Sequence, residues 1–313
     1  MPAKFFLMTD SPCDFTQQMV EEAQIGCLHF SYTEANDPNG LSGEDDLFQQ
    51  RDPHEFYEAI RKGACPMTSQ PSQLEFERAF RAAAERDTPT VYLCFSSGIS
   101  GCYEGARTAL ARLEEEAGGK LPISIVDLKL GSTAQYLFMV EAIRQRDKGL
   151  TAEEMVLWAK EARYFVQTIF MVDDLAALHR GGRVPKSVAV IGGALDVKPL
   201  LTFDLDGALS VVGISRGRKK GLKKLASFYE KNRNMDLFSN VVAIGNADCE
   251  RDAERLSDII HKSEDSAVTM VSTIGPTIGC HVGPGMVSCC FWGADRRKSA
   301  SVSDQISQNV RGN

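Results

Sequence analysis

The chain has 313 residues, of which 43% are hydrophobic and 25% charged, and its formal net charge is -7. This length and composition are typical of a globular protein with two domains. The negative charge argues against a nucleic-acid-binding protein, because neutralising phosphates requires an excess of Lys and Arg. No stretch reaches the ~18 apolar residues that span a bilayer. We therefore expect no stable membrane insertion, and at most transient contact with a membrane.

The first residues and the cysteines favour a cytoplasmic protein. The N-terminal stretch is too short and too polar for a signal peptide. The nine cysteines are scattered and form no CxxC pair, so we expect reduced thiols rather than disulfides or a zinc site. The chain contains no Walker, GxGxxG or HExxH motif and no metal-ligand cluster. We predict neither a cofactor nor a metal.

In chain order, the first half alternates short apolar runs with capped helical patterns. Strands are predicted at residues 5–9, 91–95 and 123–126, and helices at 53–62, 73–86, 102–117 and from 152 onward. The helix starts are marked by Asp52-Pro53, by Ser72 with Glu75, and by Thr151 with Glu154. Such repetition predicts βαβ units and a parallel sheet. Ligands bind beyond the carboxyl ends of such strands.

The pattern changes near Arg163. Strands are predicted at residues 168–172, 198–203, 209–214, 241–244, 268–273 and 286–292, and helices at 174–179, from 219 and from about 250. The segment Asp204-Leu205-Asp206-Gly207 is a hairpin signature, which indicates a mixed sheet. We therefore predict an α/β fold with an N-terminal parallel-sheet domain at residues 1–163, a C-terminal α/β domain with a mixed sheet at 164–294 and a polar tail at 295–313.

Three loops carry candidate binding groups. The segment Ser96-Ser97-Gly98-Ile99-Ser100-Gly101 follows a predicted strand and precedes a helix, where hydroxyls and free amides favour an anion. Thr68 and Ser69 precede the helix that Ser72 caps, so capping does not account for them. His281 lies in the middle of a predicted loop, residues 275–285, which is the densest Gly/Pro run of the chain. A histidine held by a stiff loop is a candidate donor to an anion.

Two catalytic alternatives remain open. Gly213-Ile214-Ser215-Arg216-Gly217 matches the GxSxG nucleophile pattern, and Asp248 and His281 follow in hydrolase order. The motif follows a hairpin strand, however, and no general base is indicated nearby. A serine hydrolase using Ser215 is therefore the weaker hypothesis, and a phosphocarrier using His281 is another.

Basic residues are concentrated directly after that motif, at Arg218, Lys219, Lys220, Lys223 and Lys224. A solvated helix face is the commonest explanation of such a cluster. Docking of an acidic protein surface and phosphate binding are the alternatives. Because the chain as a whole is acidic, so local a basic cluster favours docking.

Taken together, these segments resemble the DegV family of bacterial fatty-acid-binding proteins. The matching stretches are Thr9-Asp10-Ser11, Thr68-Ser69-Gln70-Pro71-Ser72, Ser96-Ser97-Gly98-Ile99-Ser100-Gly101, Val172-Asp173-Asp174-Leu175, Gly181-Gly182-Arg183, Lys198-Pro199, Arg216-Gly217-Arg218-Lys219-Lys220, and Ile274-Gly275-Pro276 through His281-Val282-Gly283-Pro284-Gly285. Each stretch is weak alone, but their order and spacing are specific. The resemblance extends from Phe5 to Gly293.

The resemblance implies a non-catalytic carrier that holds one long-chain fatty acid between its two domains. It implies that Thr68, Ser97 and His281 bind the carboxylate, with Ser69, Ser96 and Gly98 beside them. It also implies a partner, a fatty acid kinase that converts the bound acid to an acyl phosphate. The residues implied in docking this kinase are Arg216, Arg218, Lys219 and Lys220.

Overall fold

The computed structural model describes residues 3–34, 40–185, 196–233 and 240–298. The first half builds a parallel sheet in the order β2-β1-β6-β7. Its strands are β1 (Phe6–Asp10), β2 (Gly26–Leu28), β6 (Thr90–Cys94) and β7 (Ile123–Asp127). A small antiparallel sheet beside it contains β3 (Ser31–Thr33), β4 (Gly43–Glu44) and β5 (Met67–Ser69). The four-stranded sheet confirms the predicted parallel sheet.

Helices alternate with these strands, and local sequence signals set where they begin. They are α1 (Gln17–Glu22), α2 (Pro53–Arg61), α3 (Gln73–Ala84), α4 (Cys102–Ala117), α5 (Thr133–Asp147) and α6 (Ala152–Ala162). Both predicted capping boxes are confirmed, Ser72 with Glu75 and Thr151 with Glu154. In each, two amide groups that the first helical turn leaves unpaired find side-chain acceptors.

The second half builds a mixed sheet in the order β10-β9-β8-β13-β11-β12. Its strands are β8 (Val166–Met171), β9 (Val197–Phe203), β10 (Leu209–Arg216), β11 (Val241–Asn246), β12 (Val268–Thr273) and β13 (Val287–Trp292). Only β11 and β12 are parallel neighbours among these described strands. The predicted hairpin is confirmed as β9–β10, and Gly207 in its turn adopts a φ of 80°.

The helices of this half are α7 (Ala176–Arg180), α8 (Arg218–Asn232), α9 (Glu250–Ser263) and α10 (Pro276–Val282). The prediction of a loop at residues 275–285 is wrong, because α10 occupies most of it. Pro276 stands at the first helical turn, where its missing amide costs nothing, and Gly283 with a φ of 70° ends the helix. His281 is therefore a helical residue.

The mixed sheet separates two packed layers. Helices α8 and α9 cover one face and form an apolar core with it. The opposite face meets α5 and the loops of the first half. Within the ranges given above, no helix is both long and apolar enough to cross a membrane. The boundary at residue 163 stays a prediction. Of the predicted tail, Arg296–Lys298 form a short 3-10 helix and residues 299–313 lie outside the described residues.

Candidate functional site

A cavity lies between the loops of the first half and the α5 face of the mixed sheet. It is narrow, with a cavity volume of about 60 Å³. Most of its wall is apolar, with Phe30, Phe95, Ile99, Ala134, Phe170, Leu178, Phe203, Leu209, Ile278, Val282, Met286 and Cys290. A narrow apolar space of this kind fits a hydrocarbon better than a polar metabolite.

One end of the cavity is polar. Thr68 Oγ1 and His281 Nε2 lie 2.7 Å apart, within hydrogen-bonding distance, and both residues line the cavity. Among the described lining residues, Arg183 is the one cation. Its Nε donates to the Ile99 carbonyl at 3.0 Å and its Nη1 to the Gly181 carbonyl. Two of the residues predicted to bind a carboxylate are thus brought together, and an arginine accompanies them.

Backbone geometry holds these side chains in place. Thr68 lies in β5, paired with Tyr32 of β3, so its side chain and that of Ser69 point to opposite faces. His281 packs against Gly181, where an added Cβ would stand 2.4 Å from His281 Nδ1. Only glycine lets the end of α7 approach the imidazole this closely. The Gly181-Gly182-Arg183 segment therefore shapes the polar end.

The electrostatics of the polar end favour an anion. Burial, together with the neighbouring Arg183 and Arg180, lowers the pKa of His281 to about 4. The imidazole is therefore neutral at pH 7, with one nitrogen able to donate. Burial also lowers the pKa of Arg183, although a guanidinium remains charged at neutral pH. The polar end then presents one positive charge and neutral donors.

The structure places the remaining predicted carboxylate ligands elsewhere. Ser97 Oγ donates to Asp127 Oδ2 at 2.5 Å and accepts from Lys129 Nζ at 2.8 Å, and Ser97 is not among the residues that line the cavity. Ser69 is exposed on β5. Neither residue therefore joins Thr68 and His281 in this arrangement.

Ser96 and Gly98 hold the hairpin β9–β10 against the first half. Ser96 Oγ donates to the Gly207 carbonyl at 2.8 Å. A Cβ on Gly98 would stand 2.3 Å from the Gly207 carbonyl carbon, so glycine is required for this close approach. Phe203 and Leu209, on either side of the hairpin turn, line the cavity. The Ser96–Gly98 loop thus holds in place the hairpin that forms part of the cavity wall.

The predicted docking residues divide into two groups. Arg216, Lys219 and Lys220 are exposed. Arg218 is instead engaged within its own chain, because its Nη1 contacts Asp173 Oδ1 at 2.7 Å and its Nε contacts Asp252 Oδ2 at 2.6 Å. Of the four predicted docking residues, the three exposed ones present their charge at the surface.

The GxSxG motif does not assemble into a hydrolase triad within the described residues. Ser215 is buried, and its hydroxyl lies 3.4 Å from the Gly217 carbonyl in its own turn. The Asp248 carboxylate contacts His54 at 2.9 Å and Arg61, and His281 contacts Thr68. The three candidate residues therefore have separate partners.

Within the described ranges, two groups of side chains have ligand atoms close enough for one metal ion, namely Asp10 with Cys94 and Cys102, and His54 with Glu58 and Asp248. Protein partners already occupy the acids of both groups. Tyr92, Gln135 and the Phe95 amide donate to Asp10, and Arg61 bridges Glu58 and Asp248. Neither group extends the polar end of the cavity.

Arg183 was not among the residues predicted to bind the carboxylate. Arg183 stands in a segment that ends a helix, and this structural role alone explains its spacing. Its place in the resemblance, as part of Gly181-Gly182-Arg183, was the available signal. Its position opposite Ile99 depends on the folding of the two halves against each other, which no local pattern reveals.

The fold and the site define an α/β protein with two principal sheets and a narrow apolar cavity that has one cationic, hydrogen-bonding end. The family model whose description reads "Uncharacterised protein, DegV family" matches residues 4–293. The chain belongs to the DegV family, as the resemblance predicted.

Individual relatives are similar to this chain over nearly their full length. A DegV domain-containing protein of Clostridium perfringens is 32% identical, covering 93% of this chain and 98% of the relative. A Thermotoga maritima protein, whose structure is described as revealing a fatty acid binding function, has 27% identity and a TM-score of 0.75, covering 93% of this chain and all of its own. DegV of Bacillus subtilis, described as a fatty acid binding protein, has 25% identity and a TM-score of 0.76 at the same coverage.

Proposed function

We propose that this protein binds a long-chain fatty acid in the cavity, with the carboxylate at Thr68, His281 and Arg183. The observation that carries the proposal is the pairing of a narrow apolar cavity with one cationic, hydrogen-bonding end. The fatty acid binding of the Thermotoga and Bacillus relatives supports it. No cofactor is required for this role.

The two ends of the ligand contribute differently to binding. Each buried methylene contributes about 0.8 kcal/mol, so the tail supplies most of the affinity, although the entropy lost on association offsets much of it. A carboxylate leaving water must be hydrogen-bonded, or its desolvation is prohibitive. Arg183, Thr68 and His281 meet that requirement. Ser97 would join them only after its hydroxyl leaves Asp127.

We further propose that the protein is not itself an enzyme and that it presents the bound acid to a fatty acid kinase in the cytoplasm. Support comes from the exposed cluster of Arg216, Lys219 and Lys220, which offers an acidic partner a complementary surface. Arg218 stabilises that region through its two aspartates and is not assigned to docking.

Replacement of Thr68 by Val should weaken fatty acid binding about 10- to 100-fold, because a hydrogen bond to a charged group contributes about 1.5–3 kcal/mol. Titration of stearate against the purified, delipidated protein measures the change. Thr33→Val, an exposed position on β3, is the matched control and should leave the affinity unaltered. Equal affinities of the Thr68 variant and the native protein would remove Thr68 from the site.

Replacement of Arg216 by Ala should reduce acyl-phosphate formation with a fatty acid kinase at least tenfold while stearate binding persists, because the rim charge steers the encounter of the two proteins. Acyl phosphate trapped as hydroxamate reports the reaction. Lys231→Ala, at an exposed position near the other end of α8, is the control. Undiminished acyl-phosphate formation by the Arg216 variant would refute this docking surface.

A further inference from the structure

Strand β10 is an edge strand of the mixed sheet. It has β9 on one side and, among the described residues, no strand on the other. An edge strand offers unpaired backbone amides and carbonyls to another chain. Val212 and Ile214 of β10 are 55% and 42% exposed, and Arg216 ends the strand at the surface. Apolar side chains and a cationic one therefore share this edge.

The register shows which backbone groups of β10 point outward. Ile214 lies opposite Pro199 of β9. The Pro199 carbonyl accepts from the Val172 amide at 3.2 Å, directly after the end of β8, so the backbone groups of Pro199 face β8 and not β10. Directly opposite residues of an antiparallel pair exchange both hydrogen bonds or none. The amide and carbonyl of Ile214 therefore point to the free edge, and those of Arg216, two residues further on, do the same.

The basic face of α8 adjoins this free edge. Lys224 Nζ donates to the outward Ile214 carbonyl at 2.7 Å, and a lysine at an edge is a common protection against pairing with a wrong chain. Lys219, Lys220 and Lys223 are exposed on the same helix. Any segment that pairs with β10 therefore meets several positive charges.

This charge distinguishes between two classes of partner. Pairing of two copies of the chain through Ile214 would bring the Lys224 side chains of both copies together, and like charges across a strand pair are destabilising. The bulge at Val212, where the register against β9 shifts, also twists the edge away from a flat pairing. An extended segment rich in Asp and Glu meets the same cations favourably. Charge complementarity therefore selects an acidic segment of another protein.

Strand β10 is also part of the cavity wall. Leu209, at the opposite end of the strand from Arg216, lines the cavity, and Ser96 holds the hairpin turn against the first half. A protein that pairs with β10 is thereby anchored on an element that contacts the bound lipid. This is a suitable place for a partner that acts on the lipid.

We propose that the partner kinase adds an extended acidic segment as a further strand at the free edge of β10. The segment pairs with the backbone of Ile214 and Arg216 and displaces Lys224 from the Ile214 carbonyl. Addition of a strand to a sheet edge is a general mode of peptide recognition. The inference rests on the proposed docking of a kinase and specifies how the two proteins pair.

Calorimetric titration of a fatty acid kinase into the stearate-loaded protein tests the pairing with two variants of one position. Ile214→Pro removes the outward amide, which takes no part in pairing with β9, and proline is tolerated on edge strands. We expect this variant to bind the kinase at least tenfold more weakly. Ile214→Thr keeps the amide and a β-branched side chain, and it should lose less than threefold. Both variants should bind stearate with native affinity.

Amide hydrogen exchange of the native protein is a second readout that needs no variant. Saturation with the kinase should slow the exchange of the Ile214 and Arg216 amides at least tenfold, because strand pairing places them in hydrogen bonds. This measurement decides the matter should Ile214→Pro not fold.

Equal kinase affinities of the folded Ile214→Pro variant and the native protein would overturn strand addition, and so would unchanged exchange at residues 212–216 in the saturated complex. If Arg216→Ala weakens kinase binding while Ile214→Pro does not, the docking surface stands and strand addition alone fails. A native protein that binds no kinase would overturn both proposals. A native dimer that Ile214→Pro dissociates would show instead that a second copy occupies the edge.

Discussion

Replacement of Arg183 by Met is expected to weaken binding of a long-chain fatty acid about 30- to 100-fold, because truncating one partner of a hydrogen-bonded charge pair costs about 2–5 kcal/mol. The lower end of that range applies here, since Arg183 is only half-buried. With His281 neutral at pH 7, no other lining residue in the described part of the chain balances the carboxylate charge. Methionine keeps the apolar stem and removes the guanidinium.

Arg183 also contacts the carbonyls of Ile99 and Gly181, so a purely structural role must be separated from charge recognition. Stearyl alcohol has the same tail without the charge, and its affinity should change less than threefold in the Arg183 variant. Arg180→Met, at an exposed position beside the same imidazole, should cost stearate far less. Equal losses for stearate and stearyl alcohol would show that Arg183 only shapes the cavity.

Elements with strong local signals could be predicted from the sequence. The capping boxes at Ser72 and Thr151 mark helix starts because the cap and its glutamate are three residues apart in the chain. The hairpin β9–β10 is equally local, since Gly207 supplies the backbone conformation its turn requires. The alternation of such elements was enough to predict a parallel sheet followed by a mixed one.

Helices α5 and α10 could not be predicted in the same way. Helix α5 is buried on almost every side, so it lacks the apolar stripe that marks a surface helix. Helix α10 contains Gly279 between Pro276 and Gly283, and this composition is typical of a loop. Gly279 is needed because an added Cβ would stand 2.8 Å from the Tyr57 hydroxyl. The requirement for glycine at this position therefore comes from a tertiary contact, which the local sequence does not indicate.

The candidate site was predictable only in part, because some of its contacts also depend on the tertiary fold. Loop residues were expected to converge, and Thr68 and His281 do so across 213 positions of sequence. The partners of a hydroxyl, however, depend on the folded neighbourhood. Ser97 bonds to Asp127 and Lys129, which come from the end of the next strand and the loop after it. No spacing within the Ser96–Gly101 segment indicates this.

Filling the cavity should abolish lipid binding, because an acyl chain and a large side chain cannot share so narrow a space. Ala134 lines the cavity from the first turn of α5, and Ala134→Phe would occupy the path of the tail at a cost in stability of about 1–3 kcal/mol. Leu209→Trp, on the less buried hairpin, is a second filling variant should the first not fold. Thr33→Val again serves as the folded control.

The most direct measurement is the mass-spectrometric identification and quantification of lipid extracted from the purified, denatured protein. We expect about one long-chain fatty acid per native or Thr33→Val chain, and almost none from a folded cavity-filling variant. A native protein that carries no fatty acid and takes up none when it is supplied would contradict it. So would filling variants that retain their lipid, because the acid would then lie outside this cavity.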